Sequence, residues 1–180
     1  KAAAKKMLFK KWQQQKEDSD SDGSVSSDDI DDLEEKFIGT ILNSEYMIVR
    51  YINRGTFARV WLAYYFPSKQ FRVLKIYFPE EKDEFQLEFK ALKIIKAMKL
   101  KHNLNFYEVM VVKLGDVLHN AIVLPYLGLS LSDLIHDRNY VRKLQINELK
   151  YIIKQICFGV KELHDNKIVH TDLKLDNVLT

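Results

Sequence analysis

The run His170-Thr171-Asp172-Leu173-Lys174-Leu175-Asp176-Asn177 constrains this chain more than any other stretch, because it sets a carboxylate, a cation and an amide two and three residues apart. Those groups match the needs of phosphoryl transfer. Asp172 can orient an attacking hydroxyl and accept its proton, Lys174 can face a γ-phosphate, and the Asn177 amide oxygen can hold a metal ion. Alone, the run is a weak signal and reads as an ordinary solvated loop. Three stretches upstream bear on the choice.

Lys75 stands inside Val73-Leu74-Lys75-Ile76, an apolar, β-branched run that reads as a strand. A lysine projecting from a largely buried strand needs an anion. Residues 83–98 read as an amphipathic helix, with Phe85, Phe89, Leu92 and Ile95 at spacings of three and four. Its Glu84 and Glu88 are candidate partners for the lysine, or else solvated helix charges. The third stretch, Ile52-Asn53-Arg54-Gly55-Thr56-Phe57-Ala58-Arg59-Val60, has an aliphatic residue at each end and an aromatic at its tip. It reads as a hairpin or as a loop that cradles phosphate. Gly55 permits close backbone approach, Asn53 is the non-glycine residue most tolerant of left-handed backbone, and Ala58 is small.

The remaining pattern is α+β. Tyr46 to Ile52, Val60 to Tyr65, Phe71 to Tyr77, Val109 to Leu114 and Ala121 to Leu124 read as a five-stranded antiparallel sheet. Leu131 to Ile135 reads as a short helix. Asn147 to His164 reads as a longer one, with Leu149, Ile152, Ile153, Ile156, Val160 and Leu163 on its apolar side. This helix is expected to be a buried pillar beneath the 170–177 loop, ended by Asn166 before a strand-like Lys167-Ile168-Val169. Cys157, on the same apolar side, reads as a core thiol. As the only cysteine it excludes an internal disulfide. His170 reads as a structural hydrogen-bonding residue.

Charge divides the N-terminal region sharply. Residues 1–16 carry six lysines and no acid, and residues 17–35 carry ten acids and no base. The first reads as a tail. The second is too polar to bury and reads as a disordered linker, in which Ser19 and Ser26 each have an aspartate three residues on, a pattern open to phosphorylation. The weak positive balance of the rest is too diffuse to argue direct nucleic-acid binding. No apolar run approaches the roughly eighteen residues of a membrane span.

The order of loop, lysine, glutamate, hinge, amphipathic helix and catalytic loop resembles the protein kinases. The wording is similar to the Cdc-like (LAMMER) and SR-protein kinases of the CMGC group, on four stretches: Val60-Trp61-Leu62-Ala63, Leu127-Gly128-Leu129-Ser130, Leu163-His164-Asp165-Asn166-Lys167 and His170-Thr171-Asp172. The resemblance implies a tail over 1–36, a small lobe over 37–124 with a C-helix, a hinge over 125–127, and the start of a helical large lobe over 128–180. It selects Glu88 over Glu84 as the partner of Lys75. Ile52, Asn53, Gly55, Phe57 and Val60 become the nucleotide loop, of which only Gly55 survives from the glycines of G-x-G-x-x-G-x-V. Leu124 becomes the gatekeeper, Pro125 offers its carbonyl to adenine and Leu127 its N–H, with Val60 and Ile76 as apolar lid.

By the same resemblance the activity is ATP- and Mg²⁺-dependent serine/threonine phosphorylation, with Asn177 as metal ligand. Lys174 is the residue that favours serine/threonine over tyrosine. The substrates would be proteins, among them basic serine-rich splicing factors, and the location nuclear or cytoplasmic. The chain reads as the first half of a kinase domain without the Asp-Phe-Gly motif or activation loop, and so as inactive alone. A pseudokinase or kinase-derived binding module is the rival reading. Thr171 stands where most protein kinases have arginine, which implies a loop active without phosphorylation.

Overall fold

In the computed structural model the described residues are 36–136 and 145–179. The basic tail, the acidic linker and its Ser19 and Ser26 lie outside them. Among the described residues six strands and three helices follow in order: β1 Ile41–Leu42, β2 Tyr46–Arg54, β3 Ala58–Tyr65, β4 Gln70–Tyr77, α1 Lys82–Ala97, β5 Glu108–Leu114, β6 Val117–Pro125, α2 Leu131–His136 and α3 Ile146–Asp165, then a 3-10 turn at Leu175–Asn177.

All strand pairs are antiparallel, in the order β1-β2-β3-β4-β6-β5. The sheet therefore has one strand more than the five expected. The added strand, β1, is made by a tight turn in which Asn43 and Ser44 both take positive φ and the Glu45 N–H returns to the Leu42 carbonyl. Strand β6 also begins four residues earlier than expected. Gly115, at φ 61°, and Asp116 form a two-residue hairpin that pairs Val117 with Leu114.

Each face of the sheet has its own core. One holds Trp61, Leu74, Ile76, Ala121 and Val123, covered at its margin by Phe37 and Tyr51. The sheet curls over this cluster until its two ends meet. Asn43 beside β1 donates to the Val111 carbonyl of β5 at 3.1 Å, and Tyr46 of β2 donates to Glu108 of β5. Arg72 closes the seam: its guanidinium lies 3.6 Å from the Tyr65 ring centre and 4.0 Å from that of Tyr107, and it donates to the Tyr46 hydroxyl.

The opposite face carries Ala58, Tyr77, Ile122 and Leu124 and receives α1 through Phe85, Leu92 and Ile95. Acids Asp83 and Glu84 in the first turn of α1 and Lys96 in the last complement its dipole. The helix ends in a six-to-one bond from the Leu100 N–H to the Ile95 carbonyl and a five-to-two bond from Lys99 to Lys96. Helix α3 ends the same way, through Ile168 to Leu163 and Lys167 to His164. Residues 167–169 are thus the close of a helix and not a strand. Both ends place a lysine at the left-handed position, Lys99 at φ 54° and Lys167 at φ 62°.

Helix α3 is less buried than its pattern implied. Among the described residues it buries Gly159 and Leu163, while Leu149 and Ile153 are exposed. Its packing partner is the loop after α1, where Gly159 lies so close to His102 that an added Cβ would stand 3.0 Å from the His102 carbonyl oxygen. Cys157 is exposed and not a core thiol, since it follows Ile153 by one turn on the side that this loop leaves uncovered.

Replacing Lys99 or Lys167 by glycine removes the left-handed penalty of a side chain at each helix end. Each change should raise stability by about 1 kcal/mol, measured by urea unfolding. A loss of stability in both variants would contradict this account of the caps.

Candidate active site

Strand β4 places Val73, Lys75 and Tyr77 on the α1 side, because alternate side chains of a strand share a face. Lys75 reaches out between Val60 on β3 and Ile122 on β6, its direct cross-strand partners. Its ammonium donates to Glu88 Oε2 at 2.5 Å, with about a third or less of each side chain exposed. Of the two glutamates that the sequence offers, Glu88 is the one that makes the ion pair. The Tyr77 hydroxyl donates to the same Glu88 oxygen at 2.5 Å. Burial first, then the charge and hydrogen bond of Glu88, push the Tyr77 phenol far above its ordinary range, so it remains a donor.

Ile76 does not share this face. It belongs to the Trp61 and Leu74 core on the other side, and Val73, opposite Leu124, takes the place expected of it. Neither Val73 nor Tyr77 stands out as a site residue in the sequence. Two-residue spacing from Lys75 is the signal that finds both.

The β2–β3 hairpin turns through Gly55-Thr56-Phe57. The Gly55 N–H donates to the Ala58 carbonyl, and the Phe57 carbonyl accepts from the Phe78 N–H, tying the tip to the end of β4. Ile52, Asn53 and Phe57 are exposed and Val60 is half-buried. Asn53 lies within β2 without positive φ, so its tolerance of left-handed backbone is unused; its side chain accepts from the Arg54 N–H. Beyond Leu124, Pro125 closes β6 opposite Arg72, and the exposed Tyr126-Leu127 leads to Gly128 at φ 96°.

The second cluster lies in the 170–177 loop. Asn177 donates to both the Asp172 carbonyl, at 2.8 Å, and its carboxylate, at 3.0 Å, and Lys174 pairs with the same carboxylate at 3.1 Å. The Lys174 hydrogen bond foremost, aided by Asn177, holds Asp172 below the usual carboxylate range. Leu131 donates to the Val178 carbonyl and Ser130 pairs with Leu179, which anchors the loop at the start of α2. It is the carbonyl of His170 that shapes the turn, accepting from the Asp172 N–H and the Thr171 hydroxyl. Thr171 sits between them at φ 62°, an uncommon conformation for a β-branched residue.

The structure thus brings Lys75 together with Glu88, and Asp172 with Lys174 and Asn177. No hydrogen bond or ion pair joins the two clusters among the described residues. Since Asn177 spends its NH₂ on Asp172, its amide oxygen is left as a hard donor. Among the described residues no three His, Cys, Asp or Glu side chains gather as a metal cage. That donor set fits Mg²⁺, which keeps several waters and shares its coordination with substrate phosphates.

Residues 46–180 match the family model described as the protein kinase domain. The chain is similar to the serine/threonine-protein kinase Doa of Drosophila melanogaster, 34% identical over 86% of this chain and 19% of that protein. It is also similar to the human dual specificity protein kinase CLK2, 36% identical over 79% of this chain and 29% of that protein. A solved crystal structure of a kinase domain superposes with a TM-score of 0.68 at 25% identity, covering 79% of this chain and 41% of that one. The chain spans less than a third of the length of either curated relative. Among the described residues no helix is long and apolar enough to cross a membrane.

Thr171→Asn keeps a polar side chain and relieves the β-branched residue at positive φ. It should raise stability by about 1 kcal/mol, read from thermal unfolding; a decrease would mean that the threonine hydroxyl bond outweighs the backbone strain.

Proposed function

The chain belongs to the protein kinase family, and we propose that it carries the nucleotide site and catalytic loop of an ATP-dependent serine/threonine kinase that phosphorylates protein hydroxyls. The observation that carries this reading is the Asp172, Lys174 and Asn177 cluster, a carboxylate already held by a cation and an amide. Asp172 is fully ionised near neutral pH and, with its titration lowered, is a weak base there. Its part is to orient the substrate hydroxyl and take the proton late in transfer. Lys174, released toward the γ-phosphate, supplies positive charge where negative charge shifts. Lys75, fixed by Glu88, anchors the α- and β-phosphates, and the 55–57 turn covers them. The adenine would lie against Val60, Val73 and Leu124, bonded to the Pro125 carbonyl and the Leu127 N–H. When bound, Mg²⁺ supplies charge neutralisation across the phosphate oxygens, and Asn177 is its ligand on this chain.

In this reading 37–124 is the small lobe, 125–127 the hinge, and 128–180 the beginning of the large lobe. The kinship with Doa and CLK2 supports protein substrates, with basic serine-rich splicing factors as the class to try first and the nucleus or cytoplasm as the location. Asn53 and Ala58, in place of glycines, are the features that favour a binding module without transfer.

Two variants of the whole protein separate these readings. Asp172→Asn removes the orienting carboxylate and Lys75→Met an electrostatic anchor. Each should lower kcat about a hundredfold or more with ATP saturating and the fold intact by circular dichroism. Normal turnover in either variant would reassign the site.

Thr171 bears on regulation. Without the positive charge of arginine it cannot pair with a phosphorylated activation loop. The whole protein, treated with phosphatase and checked by mass spectrometry, should retain its turnover. A tenfold fall restored by rephosphorylation would refute this.

A further inference from the structure

Helix α1 is held very differently at its two ends. At the C-terminal end Lys96 donates to the carbonyls of Phe106 and Tyr107, and the following loop is fixed to α3. There Glu162 accepts from the Lys101 and His102 amides, the His102 ring and the Asn103 side chain. That end is therefore tied both to the strand that follows and to α3. The N-terminal half, which carries Glu88, meets the sheet through Phe85 in the apolar cluster and through the Lys75 and Tyr77 bonds to Glu88. Of these, Tyr77 is almost fully buried, 1% exposed.

Tyr77 touches α1 twice. Its ring stands edge-on to Phe85, with centres 5.4 Å apart, and one helical turn later its hydroxyl donates to Glu88. The residue is itself a fixed post at the end of β4: it pairs with Ala58 on β3, and its carbonyl lies 2.9 Å from His119 Nδ1. Lys75 grips Glu88 through a flexible stem, whereas Tyr77 does so from a rigid ring with two rotatable bonds. An aliphatic residue at this position would fill the same core but leave Glu88 with the lysine alone.

We propose that Tyr77 is a positioning residue: its hydroxyl holds Glu88 toward Lys75 and so keeps the N-terminal half of α1 docked on the sheet with neither nucleotide nor partner bound. The functional part of this inference rests on the reading of Lys75 and Glu88 as the phosphate anchor. The docking itself is independent of it. In kinases the lysine–glutamate pair must be formed for transfer, and helix position is what regulation adjusts. Tyr77 gives the formed pair a second hold besides the lysine.

The test follows helix position and nucleotide use separately in the whole protein. With Cys157 and any further native cysteine replaced by serine, spin labels at Gln86→Cys on α1 and Asp116→Cys in the β5–β6 turn report their distance by pulsed electron resonance. The parent should give a single narrow distribution without nucleotide. Tyr77→Phe should add a second, displaced population and raise KM for ATP about tenfold, leaving KM for the protein substrate unchanged. Glu88→Ala, which spares the Tyr77 ring, should add the same population, and Tyr77→Phe on that background should change nothing more. An unaltered distribution in Tyr77→Phe overturns the proposal, as does a further effect on the Glu88→Ala background. Absence of phosphate transfer by the unsubstituted protein would remove the kinase reading while the distance measurement still decides the role of Tyr77.

Discussion

Lys75 projects from the middle of a sheet face lined by Val73, Ile122 and Leu124, where an ammonium without an anion would carry a desolvation cost. Glu88 removes that cost, and in doing so dictates how α1 must lie. The carboxylate reaches the lysine only if Phe85, Leu92 and Ile95 face the sheet, which is also the arrangement that buries them. Apolar burial and charge pairing therefore select the same helix rotation. Agreement between the two levels is what allows a charged pair to sit at the edge of a core.

The other face of the sheet supports this one. Trp61, Leu74 and Ile76 fill the cup formed as β1 and β2 curl toward β5, and Arg72 seals the rim among tyrosines. Because Arg72 pairs with Pro125, the point at which the chain leaves the sheet is braced from below. The residues beyond it, 126–128, are exposed and lie past the last ladder pair of β6. The loop at 170–177 is fixed by other means, since its carboxylate is organised by short-range contacts within eight residues and by its tie to α2.

Much of this arrangement is legible in the amino-acid sequence. A lysine within Val73-Leu74-Lys75-Ile76 cannot be an ordinary surface charge, and three-four spacing locates both long helices to within two residues of their ends. What the sequence hides depends on geometry at single residues. The resemblance sets Ile76 beside Val60, but successive residues of a strand face opposite ways and Ile76 turns from Lys75 into the other core. The early start of β6 turns on Gly115 and Asp116, a two-residue hairpin that reads from composition as plain loop. The closing turn at Lys167 looks like a strand because a lysine gives no sign of left-handed backbone. Tyr77 is invisible for a different reason: an aromatic at the end of an apolar strand is ordinary core, and only its hydroxyl, aimed at Glu88, gives it another part. The buried face expected of α3 comes from periodicity alone, which marks an apolar stripe but not the neighbour that covers it.

The strand order has a kinetic implication. Strands β4 and β6 lie side by side, yet Ile76 pairs with Ala121 across all of α1 and β5. Hairpins β2–β3, β3–β4 and β5–β6 can each form from local sequence, whereas this central seam must close a loop of more than forty residues, from Ile76 to Ala121, before its bonds offset the lost chain entropy. Docking of α1 shortens the effective loop by fixing its middle against the β4 face. The Lys75–Glu88–Tyr77 contact then joins the two halves of the sheet in time as well as in space. Substitutions that loosen it should slow refolding, while those in the outer Trp61 core should act mainly on the rate of unfolding.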